Sequence, residues 1–325
     1  MTTTERAGAG AALAALAAAA LWGSTGTAQA LGPQASDPTS VGALRIIIGA
    51  LVLIALAIGT SRRGRSGPIR FGESPGVGLL GRLPTPALMV IGGVAVAAYQ
   101  AFFFAGVARS GVAVGTVVAL GVAPLATGLL GLLLGEHLTR RWMLATAGAV
   151  TGVVLLVLGA GNAGTATDPI GIVAAVGAGV SYAGYTIAAR ALLVRGASGI
   201  RVMAIFFTLG ALILAPALIG ADLTWVATSS GLVMVLWLGL IATGLSYVLF
   251  QRGLASLPAS SVATISLAEP VTATILGVLV LRERLSLLTA VGITVVVLSL
   301  LIVAVRRRPP PPTGRGSRAR NTAPA

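Results

Sequence analysis

The chain contains no cysteine and no lysine, and His137 is its single histidine. Without cysteine there is no disulfide, no thiolate nucleophile and no cysteine-bound metal, and one histidine cannot build a metal cluster alone. Charge is also scarce. Only 9% of the 325 residues are charged, against roughly 25% in a soluble globular protein. With 56% hydrophobic residues, too little polar surface remains to wrap a water-soluble globule. No GxxxxGK[ST] sequence is present to cradle a nucleotide phosphate, so direct drive by ATP is not encoded.

What the chain does have is apolar runs of a length that crosses a bilayer's hydrocarbon core as a helix, about 17 to 25 residues. The runs predict ten spans, near 8–31, 41–59, 85–107, 112–135, 142–160, 170–192, 202–220, 231–251, 260–281 and 286–305. The expected fold class is therefore an all-α polytopic membrane protein.

The net charge of +14 suggests nucleic acid in a soluble protein, but its placement gives another reading. With the N-terminus in the cytoplasm, segments on the inner side hold 18 arginines and those on the outer side hold 3, Arg109, Arg282 and Arg284. That is the positive-inside pattern, and it predicts a multi-pass plasma-membrane protein with both termini cytoplasmic. No nucleic-acid partner is expected. Arginine without lysine, beside heavy Ala, Gly and Val usage, fits compositional bias better than phosphate binding.

An internal duplication is most visible around two prolines. Val117 to Pro124 continues to Glu136-His137-Leu138, and Ala263 to Pro270 continues to Glu283-Arg284-Leu285. Upstream, Leu21-Trp22-Gly23-Ser24-Thr25 falls opposite Ser181-Tyr182-Ala183-Gly184-Tyr185. Arg6, an Ala-rich run and Ala28-Gln29-Ala30 imitate a cleavable signal peptide. Because the first segment has a partner in the sixth, it is expected to be a retained helix. The resulting division is a cytoplasmic N-terminus (1–7), a first five-helix unit (8–160), a linker (161–169), a second five-helix unit (170–305) and a basic, Pro-rich tail (306–325) expected to be disordered. Five is odd, so two units joined directly enter the membrane from opposite sides. Such inverted repeats place a substrate site near the midplane in many secondary transporters.

On the paired Pro-to-Glu runs, Leu21-Trp22-Gly23-Ser24 in the first span and Arg45 opening the second, the sequence resembles the drug/metabolite transporter superfamily, and most closely its EamA-type ten-helix members. The resemblance covers residues 8 to 305. It implies a secondary carrier, often an exporter of amino acids, metabolites or drugs, driven by proton exchange or by the substrate gradient. The position matching Glu269 in the first unit is Ala123, so any acidic site is one-sided.

Glu269 is the one acidic residue deep in a predicted span. An ionised carboxylate there costs roughly 2.5 to 3.5 kcal/mol on insertion scales, so it is expected to face a cavity or a partner, as a proton-coupling site or a contact for a substrate amine. A structural carboxylate tied to a neighbouring hydroxyl or arginine is the plain alternative. Pro124 and Pro270 each remove a backbone hydrogen bond and crowd the carbonyls of Leu120 and Ser266. They shape a cavity or a moving joint, or else serve as packing kinks. Trp22, Tyr99, Gln100, Phe103, Tyr182, Tyr185, Tyr247 and Gln251 place aromatic faces and hydrogen-bonding groups inside spans, as a cavity for an amphipathic solute would require. Interfacial belts or helix packing explain any single member equally well. Arg45 reads first as a structural, snorkelling residue and second as a contact for a substrate carboxylate.

Two motif matches carry less. Gly159 to Gly164 fits G-x-G-x-x-G but follows a membrane helix, which argues against a dinucleotide site. Gly131-Leu132-Leu133-Leu134-Gly135 fits G-x-x-x-G, which reports close helix packing and leaves a homodimer open. An integral membrane enzyme needs catalytic groups at membrane depth, whereas Asp37, Asp168 and Asp222 all fall in short outer loops. A scaffold or receptor needs larger loops. The expectation is a transporter of a small molecule, exporting it by alternating access, with the bilayer as its surroundings and no cofactor beyond a coupled proton.

Overall fold

The computed structural model describes residues 3–62, 82–160 and 168–304. The arginine-rich part of the first inner loop, most of the 161–169 linker, all but the first two residues of the G-x-G-x-x-G match and the 306–325 tail lie outside the described residues.

Ten apolar helices make up the described chain, and no strand is present among those residues. They are α1 (Thr3–Ala30), α2 (Pro38–Arg62), α3 (Thr85–Val112), α4 (Val114–Leu132), α5 (Arg140–Gly159), α6 (Pro169–Val194), α7 (Gly199–Leu218), α8 (Ser229–Ser256), α9 (Ala259–Val280) and α10 (Leu287–Ala304). Nine are long and apolar enough to cross a bilayer. The tenth has 18 residues, and at 1.5 Å per residue it spans about 27 Å, close to the hydrocarbon thickness. Leu13, Leu129, Leu144, Val173 and Leu279 are each 64% or more exposed, which only a lipid solvent tolerates on this scale.

Local chemistry sets the ends. Asp168 caps α6 by accepting from the Ile170 N–H at 2.9 Å, Thr139 caps α5 at Trp142 N, and Thr228 caps α8 at Gly231 N. The loop expected between spans three and four is absent: α3 and α4 run into each other through Gly111 alone, at φ 80. Arg109, Ser110 and Gly111 look like a loop in sequence, but one glycine in a left-handed conformation makes the corner. After α4 and α9 the chain turns in the same way, through Gly135 at φ 78 and Arg282 at φ 61.

Contacts between the first five helices and the last five come in mirrored pairs. Gly49 of α2 lies against Thr243 of α8, and Gly210 of α7 against Val96 of α3. Gly106 of α3 meets Ala175 of α6, and Gly253 of α8 meets Ala15 of α1. Finally α5 and α10 cross at Gly152 and Gly292. None of these crossings has room for a further carbon, so small residues let the backbones approach and maximise packing where no hydrophobic drive exists between helices.

α7 ends in a 3-10 turn, Ala215–Leu218, and two helices are irregular in their interior. In α8, Trp237–Leu245 winds as a π-helix, and the Thr243 hydroxyl donates to the Leu238 carbonyl five residues back at 2.8 Å. In α9, the helix stops at Ile265 and restarts at Ala268. Interruptions of both kinds concentrate at functional sites in membrane helices.

Candidate functional site

A cluster of rings is bonded to both irregular segments, at Ser246 just past the π-helix and at Ser266 in the α9 interruption. Trp22 on α1 stands 5.2 Å from Tyr247 and 5.4 Å from Phe250 on α8, centroid to centroid. Tyr185 on α6 is 6.1 Å from Tyr247, and Tyr182, one turn earlier, is 5.1 Å from Tyr185. Tyr99 on α3 bridges Phe103 at 5.8 Å and Tyr182 at 6.4 Å. Phe207 on α7 closes the group at 4.2 Å from Tyr247. Most of these contacts are tilted or edge-to-face, the arrangement favoured by the ring quadrupole.

Each polar tip in the buried part of the cluster finds a partner. The Trp22 Nε1–H donates to Ser246 Oγ at 2.8 Å, the Tyr182 hydroxyl shares a bond with Ser266 Oγ at 2.9 Å, and the Tyr185 and Tyr247 hydroxyls share one at 3.1 Å. A satisfied network of this type holds its members in one geometry.

Beside it sit two charges without partners. Around the α9 interruption the Leu267 N–H reaches the Thr264 carbonyl and the Glu269 N–H reaches Ser266 O at 3.0 Å. Pro270, which has no N–H, follows. Glu269 is half-buried, and its carboxylate makes no hydrogen bond or ion pair among the described residues. Arg45 on α2 is also half-buried, and its Nε is buried with no hydrogen-bond partner. The two interact electrostatically with each other and with Tyr99 and Tyr247. α1 supports this region directly: a Cβ on Gly23 would stand 2.5 Å from the Glu269 carbonyl oxygen.

The other sequence candidates are placed elsewhere. Gln100 is buried beside α2, donating to the Gly42 carbonyl at 3.5 Å. Gln251 lies against Gly199 and donates to the Val248 carbonyl at 3.0 Å. Pro124 sits within a continuous helix, with Gly111 the one non-helical position between Thr85 and Leu132. Phe207, Phe250, Ser246 and Ser266 complete the cluster but were not singled out in the sequence. Apolar rings in apolar helices carry no signal of their own, although Phe250 stands one turn from Tyr247.

A cavity of 590 Å³ adjoins the cluster at the C-terminal end of α1, lined by Ser24, Thr27, Leu31, Met234, Trp237 and Leu276 among others. Arg45 and Glu269 do not line it. Its inner edge is Ser24, two residues from Trp22, where the Trp237 Nε1–H donates to Ser24 Oγ at 2.9 Å. Thus α1 and α8 are tied twice, each giving one indole to a serine of the other. No group of three or more His, Asp or Glu side chains able to hold a metal occurs among the described residues.

Comparison with known proteins agrees with this architecture. The model of the EamA-like transporter family matches residues 9–158 and 169–305. The uncharacterized transporter YwfM of Bacillus subtilis (strain 168) is 37% identical over 286 residues, 88% of this chain and 90% of that protein. A solved crystal structure superposes with a TM-score of 0.73 at 25% identity, covering 90% of this chain and 95% of its own.

Proposed function

The chain belongs to the EamA-like transporter family, and from that premise we propose that it is a secondary carrier that exports a small amphipathic molecule bearing an amine and a carboxylate. It is a multi-pass membrane protein and its partners are a small-molecule solute and the lipid bilayer. The observation that carries the substrate class is the pair of charged side chains, Arg45 and Glu269, that make no ion pair among the described residues and stand beside a wall of aromatic rings. A cation and a carboxylate that sense each other without forming an ion pair keep their hydrogen-bonding capacity open, and a zwitterion can bond to both at once. The rings bury the remaining apolar body, as binding sites for drug-sized solutes do.

Alternating access between two inverted five-helix halves is the mechanism this reading adopts, supported by the mirrored helix contacts and by the interruption at Glu269. Both termini face the cytoplasm of a plasma-membrane protein on this reading, as the arginine distribution favours. Proton exchange at Glu269 drives export.

Reconstitution into liposomes tests these statements separately. Counterflow of neutral aromatic amino acids should exceed that of the matching amines or acids. Arg45→Gln should lose the preference for the carboxylate and Glu269→Gln the preference for the amine. Glu269→Gln should also make flux independent of an imposed proton gradient. Full rate and full pH dependence in the Glu269→Gln protein would remove the coupling role. Absence of flux for every solute under every gradient would remove the carrier reading.

A further inference from the structure

Glu136, in the turn that ends α4, reaches across to the other half of the molecule. Its carboxylate accepts the Ala259 N–H at 2.7 Å, the Ser260 N–H at 3.4 Å and the Ser260 hydroxyl at 3.2 Å, all at the start of α9. The Arg190 guanidinium stands 3.9 Å away, and the two side chains are only 12% and 20% exposed. A carboxylate seated on the first N–H groups of a helix is a charge-assisted cap, among the stronger hydrogen bonds a protein makes.

Other bonds close the same end. Arg190 donates to the Leu254 and Ala255 carbonyls at 2.8 and 3.0 Å, joining α6 to α8, and Arg195 donates to Leu83 O at 2.7 Å, just before α3. The last turns of α6 are sealed, with Ile187, Ala188 and Ala191 at 3%, 2% and 0% exposure.

The opposite end contains the same parts in another arrangement. Glu283 ends α9 as Glu136 ends α4, and its carboxylate folds back toward Gly277 as that of Glu136 folds toward Gly131. Yet Glu283 is exposed and accepts no hydrogen bond among the described residues. In the register that sets Trp22 opposite Tyr182, the matches for Ile187, Ala188 and Ala191 are Thr27, Ala28 and Leu31. Those three line the 590 Å³ cavity, and Leu31 is 62% exposed. One end is latched by Glu136 and packed; at the other, Arg109 pairs with Asp168 at 3.3 Å between α3 and α6, but Glu283 is unseated and the cavity is open.

We propose that Glu136 and Glu283 are reciprocal latches of the access cycle: Glu136 seated on the start of α9 defines the state seen here, and its release, with Glu283 seated on the start of α4, defines the opposite one. This rests on the carrier reading above, since only a molecule that opens at both ends needs two latches. The latches are unequal. Ser260 matches Ala113 in the register of Gly106 with Gly253 and Val114 in the register of Pro124 with Pro270, neither with a hydroxyl, and Ala30 stands where Arg190 stands in the other copy. Glu136 has the larger donor set, so the chain rests with the Glu136 end closed and the cavity end open. A population shifts only by the difference in interaction between its two states, and that difference resides in this donor set.

The native absence of cysteine lets single cysteines report each end. Leu31→Cys and Ala191→Cys are made separately and their labelling by a membrane-impermeant maleimide is timed in right-side-out and inside-out vesicles. With Glu136 intact, position 31 should react at least tenfold faster than position 191. Glu136→Gln should slow labelling at 31 and speed it at 191, and Ser260→Ala should do the same to a smaller degree. Glu283→Gln should leave the resting pattern unchanged by itself, and added to Glu136→Gln it should return both rates toward their starting values. Rates within twofold of the starting values in Glu136→Gln overturn the latch, as does faster labelling at both positions, which is local unfolding. The readout needs no substrate, so an immovable latch in a protein that still transports separates failure of this inference from failure of the carrier reading.

Discussion

Gly23 offers the sharpest test of how the site is held. A Cβ built there stands 2.5 Å from the Glu269 carbonyl oxygen, 2.7 Å from Thr272 Cβ and 3.0 Å from the Ala273 nitrogen. Two of the three neighbours are backbone, so no rotamer change relieves the contact. Favourable carbon contacts lie near 3.5 to 4.0 Å, so Gly23→Ala must part α1 from α9 by about 1 Å. Overpacking of this kind costs about 1–3 kcal/mol. The displaced segment carries Glu269 and the interruption before it, so the carboxylate moves relative to Arg45 by a comparable distance. We expect an initial transport rate in proteoliposomes lowered on the order of tenfold, the factor that corresponds to about 1.4 kcal/mol. Denaturation in mixed micelles should show the stability loss in parallel.

The control lies on the same helix. Gly10 and Gly26 have nothing within 4 Å of their added carbon, and alanine is the better helix former by up to about 1 kcal/mol. Gly10→Ala and Gly26→Ala should therefore be neutral or slightly stabilising and should transport at the unmodified rate. If Gly23→Ala behaves like Gly26→Ala in both assays, α1 does not brace the α9 interruption and the argument from close approach fails.

Trp22→Phe keeps a ring in the cluster and loses the bond to Ser246, which retains its own bonds to the Ala242 and Thr243 carbonyls, so we expect a loss of about 0.5–1.5 kcal/mol. Trp22→Ala also empties the space against Tyr247 and Phe250, for about 3–5 kcal/mol, and equal values in micelle denaturation would contradict the packing described. Outside the membrane, the hydroxyl and N–H of Thr224 hold the Asp222 carboxyl below its ordinary range. A depressed carboxyl stabilises its turn above the unfolded pKa and loses that contribution as pH falls. Hydrogen exchange at the Thr224 amide should accordingly be slower in the unmodified protein than in Asp222→Ala at neutral pH, with the two converging below about pH 4.

The ten spans were readable because each buries or exposes a continuous apolar run, and lipid makes that run the dominant signal. Turns were less readable. Arg109-Ser110-Gly111 has the composition of a loop, yet the α3–α4 corner uses only the backbone freedom of Gly111. The π-helix at Trp237–Leu245 leaves no trace in a run that is apolar almost throughout, and only the tertiary structure shows its Thr243 packed against Gly49 of another helix. Among the candidate residues, those bearing a ring and a polar tip converge, since both ends of such side chains need partners in a dry interior. The glutamines do not join them: one amide each is satisfied by a nearby carbonyl, and composition cannot say which carbonyl is near. Nothing in the sequence sets Glu136 apart from Glu283 at the end of the matching helix, and only the tertiary structure brings the start of α9 to it.

Pro124 and Pro270 show where inheritance ends and tertiary context decides. Both prolines remove a backbone donor, yet the first lies in continuous helix and the second follows an interruption. Around the second, side chains of α5 in the first half and of α6 in the second bond the polar groups that lead into the break. Trp142 Nε1 donates to the Ser260 carbonyl and to Thr264 Oγ1 at 3.1 Å each, Thr146 shares a bond with Thr264 at 2.8 Å, and Tyr182 holds Ser266. At the matching position opposite the first proline stands Trp22, whose single donor is committed to Ser246 on α8 and not to α4. A proline lowers the cost of breaking a membrane helix, but exposed backbone groups in hydrocarbon cost several kcal/mol each unless something meets them. The break therefore forms only in the copy whose neighbours supply donors and hydroxyls, and that is the copy in which an acidic residue precedes the proline. Glu269 can stay unpaired because these side chains, and not its carboxylate, bond the residues that lead into the break.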